Sequence, residues 1–275
     1  MSKNIFGILG VGAIGGSIGL RARRNGAYVV GADSDPAALE NARNLGAIDA
    51  IATTEELIRT ADEYVIAAHL EPTLLELERL ARTSKPMPAL IMDVASVKVP
   101  VVSAAKGLQN FVATHPMAGT ELSGVAAASA ELFAGCAWAY VPSGDENLDA
   151  RARAFIDSMG GVAIAMAAEE HDRAVAISSH VPQIVASCYA SLLRADKGVA
   201  KRVCGPVARE LVRISAMSFA MWRDTLRANA ANIGPELRRL ATQLEVAADA
   251  MARDDVDSLA QLFGNAHVSA RAIES

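Results

Sequence analysis

The strongest constraint on this chain lies near its start, where Gly10-Val-Gly12-Ala-Ile-Gly15 falls between an apolar run and a helical stretch. Asn4-Ile-Phe-Gly-Ile-Leu9 reads as a buried strand, and Ile14 to Asn25 reads as a helix closed by Gly26. A second strand, Ala27-Tyr-Val-Val-Gly-Ala32, ends one residue before Asp33, 18 positions after Gly15. Strand, glycine turn, helix, strand and acidic residue form the pattern of a dinucleotide site. Gly10 permits the tight turn, Gly12 lets the backbone approach a pyrophosphate, and Gly15 lets the helix pack closely on the sheet. The helix N-terminus faces the anion. Asp33 would accept hydrogen bonds from the ribose hydroxyls and repel a 2′-phosphate, and no arginine directly follows it, which favours NAD over NADP. Gly10, Gly12, Ala13, Ile14, Gly15 and Asp33 are the expected cofactor contacts. The plain alternative is a glycine turn in an α/β domain that binds no nucleotide.

The rest of the first half keeps this rhythm. Asp35-Pro36 opens a helix as cap and first helical residue. Tyr64 to Ala68, Ala89 to Asp93, Phe111 to Thr114 and Ala137 to Val141 read as further strands. Strands alternating with helices predict a mostly parallel sheet covered on both faces. After about Ala168 strand signals thin out, and His171 to Leu193, Ala208 to Asn229 and Pro235 to Ala252 read as helices. A boundary near residue 167 therefore divides a nucleotide-binding domain, 1–167, from a helical domain, 168–275.

Composition removes other classes. With 26 basic and 31 acidic residues the net charge is −5, which argues against nucleic acid as the main partner. Cys136, Cys188 and Cys204 are scattered, which excludes a cysteine-rich metal site and a disulfide framework and fits a reducing cytoplasm. The six glycines between Asn4 and Leu20 spoil any reading of that run as a membrane helix, and no membrane span or metal site is expected.

Two runs follow predicted strands on the side where open α/β sheets bind ligands. They are Asp93-Val-Ala-Ser96-Val-Lys98 and Thr114-His115-Pro-Met-Ala-Gly-Thr-Glu121. A histidine with an ordinary pKa of about 6.5 suits removal of a hydroxyl proton near neutrality. His115 is the candidate base, with Ser96 bonded either to it or to a substrate hydroxyl. His171-Asp172 reads as a pair at a helix start, and Met217, Met221 and Trp222 read as helical core.

These residues resemble the prephenate and arogenate dehydrogenases of tyrosine biosynthesis. The resemblance runs through the glycine motif, Asp93 to Lys98, His115-Pro-Met-Ala-Gly-Thr-Glu-Leu-Ser-Gly124, Glu170-His-Asp172, Ile177-Ser-Ser-His180-Val-Pro182, Arg213-Ile214, Met221-Trp-Arg-Asp224 and Ala228-Asn229. It implies a Rossmann-type domain followed by a helical dimerisation domain, and NAD-dependent oxidative decarboxylation of a cyclohexadiene. It implies His115 as catalytic base, supported by Ser96, with His180 lining the substrate pocket. Arg213 would hold the ring carboxylate, and Glu121 would stand near the pocket mouth. Prephenate-specific relatives often carry a second histidine where this chain has Gln183, which leaves room for arogenate. A chorismate mutase or tyrosine-sensing domain is not expected within these 275 residues. A homodimer is expected from the resemblance and from apolar helices richer than one small domain needs. The competing readings are another two-domain reductase, such as a β-hydroxyacid dehydrogenase or a pyrroline carboxylate reductase, and a non-catalytic NAD sensor.

Overall fold

A computed structural model describes residues 4–83, 87–119, 124–196 and 198–274. Its strands are β1 (Ile5–Leu9), β2 (Tyr28–Ala32), β3 (Ala50–Ile51), β4 (Glu63–Ile66), β5 (Leu90–Asp93), β6 (Phe111–Val112), β7 (Thr114–Pro116), β8 (Ala137–Tyr140) and β9 (Val162–Ala165). Helices α1 (Ala13–Arg24), α2 (Pro36–Leu45), α3 (Thr54–Thr60), α4 (Leu70–Ala81), α5 (Val99–Ala104) and α6 (Glu146–Ser158) alternate with them. The second part contains α7 (Ala168–Val175), α8 (Val181–Ala195), α9 (Pro206–Ser215), α10 (Phe219–Ala228), α11 (Ala230–Ala252) and α12 (Val256–Glu274).

Six strands form one all-parallel sheet in the order β3-β2-β1-β4-β5-β6. Side chains alternate across a strand, so each strand feeds two cores. Val65, Leu90 and Met92 pack with α1, α2 and α6 on one face, whereas Tyr64, Ile66 and Ile91 pack with α3, α4 and α5 on the other. Local chemistry sets the helix ends. Asp35 accepts the Ala37 N–H at 2.9 Å beside Pro36, and Gly46 closes α2 in the left-handed region at φ +79°.

The expected Phe111–Thr114 strand is split. Phe111 and Val112 finish the parallel sheet, and the chain then leaves it. β7 pairs antiparallel with β8, and β8 pairs parallel with β9, in a separate three-stranded sheet. The cause is a polar knot. Thr114 N–H donates to Asp93 Oδ1 at 3.0 Å and Thr114 Oγ1 to the Asp93 carbonyl at 2.5 Å, so the backbone bonds to a side chain where a ladder would continue.

The expected helix over 171–193 is also interrupted, by a wide turn at Ala176–His180 where Val181 N–H bonds back to the Ala176 carbonyl. Pro182 has no N–H and its ring crowds the carbonyl four residues earlier, so the backbone widens there. The 208–229 stretch breaks before Ser218, which is extended and restarts the chain as α10. Pro235 lies inside α11 rather than at its start, because Asn232 and Ile233 N–H groups already bond to the Asn229 carbonyl upstream. No helix among the described residues is long and apolar enough to cross a membrane.

Candidate active site

The glycine turn stands at the carboxyl end of β1 and leads into α1. Gly10 adopts φ +92°, and a Cβ there would lie 2.6 Å from the Ala67 carbonyl oxygen. A Cβ on Gly15 would lie 1.9 Å from the Gly10 carbonyl oxygen, so α1 can start against its own turn only with glycine there. Gly12 differs, since nothing lies within 4 Å of its would-be Cβ. Gly12 caps α1 with no side-chain hydrogen bond, so the first-turn N–H groups have no capping oxygen. An open space over bare amides at a helix N-terminus fits a pyrophosphate. Ala13 and Ile14 form that first turn, partly buried. Asp33 follows β2 and ties the loop together, with Oδ2 accepting Val11 N–H at 2.8 Å and Oδ1 accepting Asp35 N–H at 2.9 Å. Each oxygen keeps a lone pair.

At the same edge of the sheet, β5 ends in Asp93, which is wholly buried with Lys98. Lys98 Nζ donates to Asp93 Oδ2 and to the Thr114 carbonyl, each at 2.5 Å. Burial lowers the Lys98 ammonium pKa, and the Asp93 carboxylate opposes that. Trp138 Nε1 donates to Thr114 Oγ1 at 3.0 Å and completes the knot. This pair was not singled out in the sequence, although an aspartate and a lysine flanking an apolar strand end were the visible signal.

His115 lies within β7 rather than after a strand, and its register partner is Ala139. Its Nδ1 is 2.9 Å from Nε2 of His171, and the two rings meet edge to face with centroids 5.1 Å apart. His171 Nδ1 in turn lies 2.8 Å from Asp172 Oδ1. The Asp172 carboxylate also accepts Lys98 N–H at 2.7 Å and Val99 N–H at 2.9 Å. His171 and Asp172 are therefore not an isolated pair at a helix start. α7 carries them against Lys98 and Val99 at the start of α5. Burial, then the charges of Lys98 and of the neighbouring histidines, push His115 well below the ordinary histidine pKa of 6.5. Burial works against ionisation of Asp172, but the hydrogen bonds from His171, Val99 and Lys98 prevail and hold it below 3.8. Ser96 is partly buried on the β5–α5 connection, and its hydroxyl shares no hydrogen bond with His115 among the described residues, whose ring partner is His171.

His180 ends the wide turn and is 1% exposed. Asn229 Nδ2 donates to the Asp172 carbonyl at 2.7 Å and lies 3.1 Å from His180 Nδ1. Burial first, and then His171, lower the His180 pKa to about 4 against the pull of Asp172. Trp222 stands edge-on to His180 at 5.7 Å, and its Nε1 is buried with no acceptor among the described residues. It packs on the site rather than filling a helical core, and Met221 beside it is 37% exposed. Gln183 is buried and donates from Nε2 to the Ile214 carbonyl at 3.0 Å, tying α8 to α9. Arg213, adjacent to Ile214, is exposed and makes a two-point ion pair with Glu210 at 2.6 and 3.0 Å. Glu121 lies outside the described residues. No cluster of metal-ligating side chains occurs among the described residues.

The nucleotide-binding domain model of prephenate dehydrogenase matches residues 18–165, and its dimerization domain model matches residues 167–265. The chain belongs to the prephenate dehydrogenase family. It is 35% identical to a probable prephenate dehydrogenase, NovF, of Streptomyces niveus, over 86% of this chain and 66% of that protein. It is 30% identical to prephenate dehydrogenase of Bacillus subtilis, over 96% of this chain and 74% of that one. The chain thus spans about two thirds to three quarters of these two relatives. The fold matches that of A. aeolicus prephenate dehydrogenase, solved with hydroxyphenyl propionate and NAD+. The TM-score is 0.88 over 99% of both chains, at 24% identity.

Proposed function

We propose that this chain catalyses the NAD-dependent oxidative decarboxylation of prephenate or arogenate, giving 4-hydroxyphenylpyruvate or tyrosine. The observation that carries the reading is His115, kept neutral and held by a buried hydrogen-bond chain at the sheet edge that also carries the glycine cradle. Gly10, Gly12, Ala13, Ile14 and Gly15 would hold the cofactor's pyrophosphate and Asp33 its ribose. When bound, NAD supplies the hydride acceptor.

The protein's own task is to position and to move one proton. A neutral His115 takes the ring-hydroxyl proton as carbonyl character develops at the carbinol carbon, which loses its hydrogen as hydride. The ring carboxylate then leaves as carbon dioxide. Its bond electrons complete the aromatic ring, and His115 returns the proton to the phenolate oxygen. Aromatisation drives the step, so orientation and anion binding suffice. Ser96 is assigned to the hydroxyl or the nicotinamide side of the site, His180 to the pocket wall and Arg213 to the ring carboxylate. Gln183 faces the substrate side chain. One N–H of Gln183 Nε2 is bonded to the Ile214 carbonyl, and the side-chain oxygen is an acceptor that suits the ammonium of arogenate.

The active species is a cytoplasmic homodimer joined through residues 168–275. Val203, Val207, Phe263 and Ile273 are each more than 70% exposed in one chain, an apolar surface that a second copy would cover. The test is NADH formation with prephenate and arogenate in parallel, together with light scattering. Absence of NADH with both substrates would reject the reaction, and a monomer at micromolar concentration would reject the dimer.

A further inference from the structure

We infer that Asp172 sets opposite tautomers on two histidines, making His115 a proton acceptor and His180 a proton donor at Nε2, with His171 and Asn229 as the positioning residues. The inference rests on the reading of His115 as the base and deepens it.

An ionised carboxylate only accepts hydrogen bonds. Asp172 takes three, from Lys98 N–H, Val99 N–H and His171 Nδ1. His171 therefore carries its proton on Nδ1. When His171 is neutral it has that one N–H, and its Nε2 bears a lone pair. The group facing that lone pair at 2.9 Å is His115 Nδ1, which must donate. The lone pair of His115 then sits on Nε2, where it can receive a hydroxyl proton. Without the His171–Asp172 chain the two tautomers of His115 compete, and the Nε2–H form cannot act as a base at that atom.

The same aspartate governs His180 through its backbone. The amide of Asn229 has one orientation consistent with its partners. Its oxygen accepts from Asn232 Nδ2 at 2.7 Å, and its nitrogen donates to the Asp172 carbonyl at 2.7 Å. Its second N–H meets His180 Nδ1 at 3.1 Å, which must be a lone pair. A neutral His180 consequently carries its proton on Nε2 and offers a donor to a substrate oxygen. The proton accounting closes on His115 alone. The hydroxyl O–H breaks and Nε2–H forms, the imidazolium keeps donating from Nδ1 to His171, and the proton returns to the phenolate oxygen. His171 changes no protonation state.

The chain has five histidines, so ring tautomers can be read one by one from two-bond nitrogen–proton correlation spectra of 15N-histidine-labelled protein at pH 7.5. His115→Asn and His180→Asn assign the two rings. The expected result is an Nδ1–H tautomer at His115 and an Nε2–H tautomer at His180. Equal tautomers, or Nε2–H at His115, would overturn the inference.

Kinetics provide the second arm. In His171→Gln the amide oxygen replaces the Nε2 lone pair and the amide N–H2 still reaches toward Asp172, so most of kcat should survive. His171→Phe offers His115 no acceptor, and kcat should fall at least about tenfold, within the 10²–10⁴ that a positioned base contributes. KM and NAD affinity should stay within about twofold, since neither residue binds either ligand in this reading. Equal losses in the two variants, or no loss in a folded His171→Phe, would overturn the inference. If His171→Phe does not fold, the wild-type spectrum decides. Full turnover in His115→Asn would instead remove the base itself, a failure of the functional reading that leaves the tautomers to the spectrum.

Discussion

The cofactor cradle and the histidine cluster share one edge of the sheet but are built in different ways. The cradle uses backbone. Gly10 to Gly15 and Asp33 span 24 consecutive residues, and each glycine there has a steric or electrostatic reason that can be stated alone. The cluster uses side chains from separate elements. His115 and His171 are 56 residues apart in sequence, and His180 and Asn229 are 49 apart. Backbone geometry is local and is written in local sequence. A side-chain network that crosses a domain junction exists only after both domains have packed.

The sharpest way to separate the two regions is to remove the base. His115→Asn should lower kcat by about 10²–10⁴-fold while NAD binding, measured by fluorescence titration, stays unchanged. A parallel loss of NAD affinity would mean that the cluster and the cradle are one energetic unit.

Next in size is the buried pair beneath the cluster. Lys98→Met leaves Asp93 charged and fully buried, and should cost about 3–5 kcal/mol of stability, seen as a lower urea midpoint. Lys98 bonds both Asp93 and the Thr114 carbonyl beside His115, so turnover should fall with stability. Unchanged kcat in the folded variant would detach the knot from the cluster.

How much of this was legible follows from the same contrast. The strand that begins near Tyr64, the Asp35-Pro36 cap and the glycine turn each follow from residues within a few positions of one another, and the structure has them where the sequence places them. The turn of β7 out of the parallel sheet was not legible, because its cause is Asp93, 21 residues before Thr114. His171-Asp172 has the composition of an ordinary helix start, and only the approach of α7 to Lys98, Val99 and His115 gives it another use. The widened turn before Pro182 had a visible cause in the proline. The short strand β9, with Val162 56% exposed, carried too little apolar pattern to be read.

In the cradle, Gly12 and Gly15 make different predictions from the same substitution. A methyl on Gly12 enters open space, so Gly12→Ala should leave the melting temperature alone and weaken NAD binding by roughly 1–3 kcal/mol of crowding against the pyrophosphate. Gly15→Ala collides with the Gly10 carbonyl oxygen and should lower the melting temperature itself. If both variants melt like wild type and bind NAD normally, the cradle does not hold the cofactor.

The cluster has a pH signature that the cradle lacks. His180 in the folded protein titrates at about 4 against an ordinary 6.5. Between those values the unfolded chain binds the proton and the folded one does not, so stability falls as pH drops through that window. Above about 6.5 the residue is neutral in both states and contributes no slope. The slope of melting temperature against pH should therefore be shallower in His180→Asn than in wild type over that range. Identical slopes would show that burial does not hold His180 neutral.

The smallest expected effect concerns a position that joins two helices of the second domain, α8 and α9. Gln183 is buried, and its Nε2 is fixed on the Ile214 carbonyl next to Arg213. The side-chain oxygen is the acceptor that Gln183 can present to the substrate, beside its second N–H, and an oxygen prefers the ammonium of arogenate to the keto group of prephenate. Histidine at this position offers one N–H for Ile214 and, when neutral, only a lone pair on the other nitrogen. When protonated it donates from both nitrogens and can meet a keto or carboxylate oxygen. Gln183→His should therefore shift the ratio of kcat/KM values toward prephenate, by about 1–2 kcal/mol, because one hydrogen bond is exchanged for another. The shift should grow as pH falls below about 6.5, where an ordinary histidine gains its charge. Arg213→Ala should lower both efficiencies together, since both substrates carry the ring carboxylate. A ratio unchanged by Gln183→His at every pH would show that position 183 serves only to tie α8 to α9, and the acceptor oxygen would lose its assigned role.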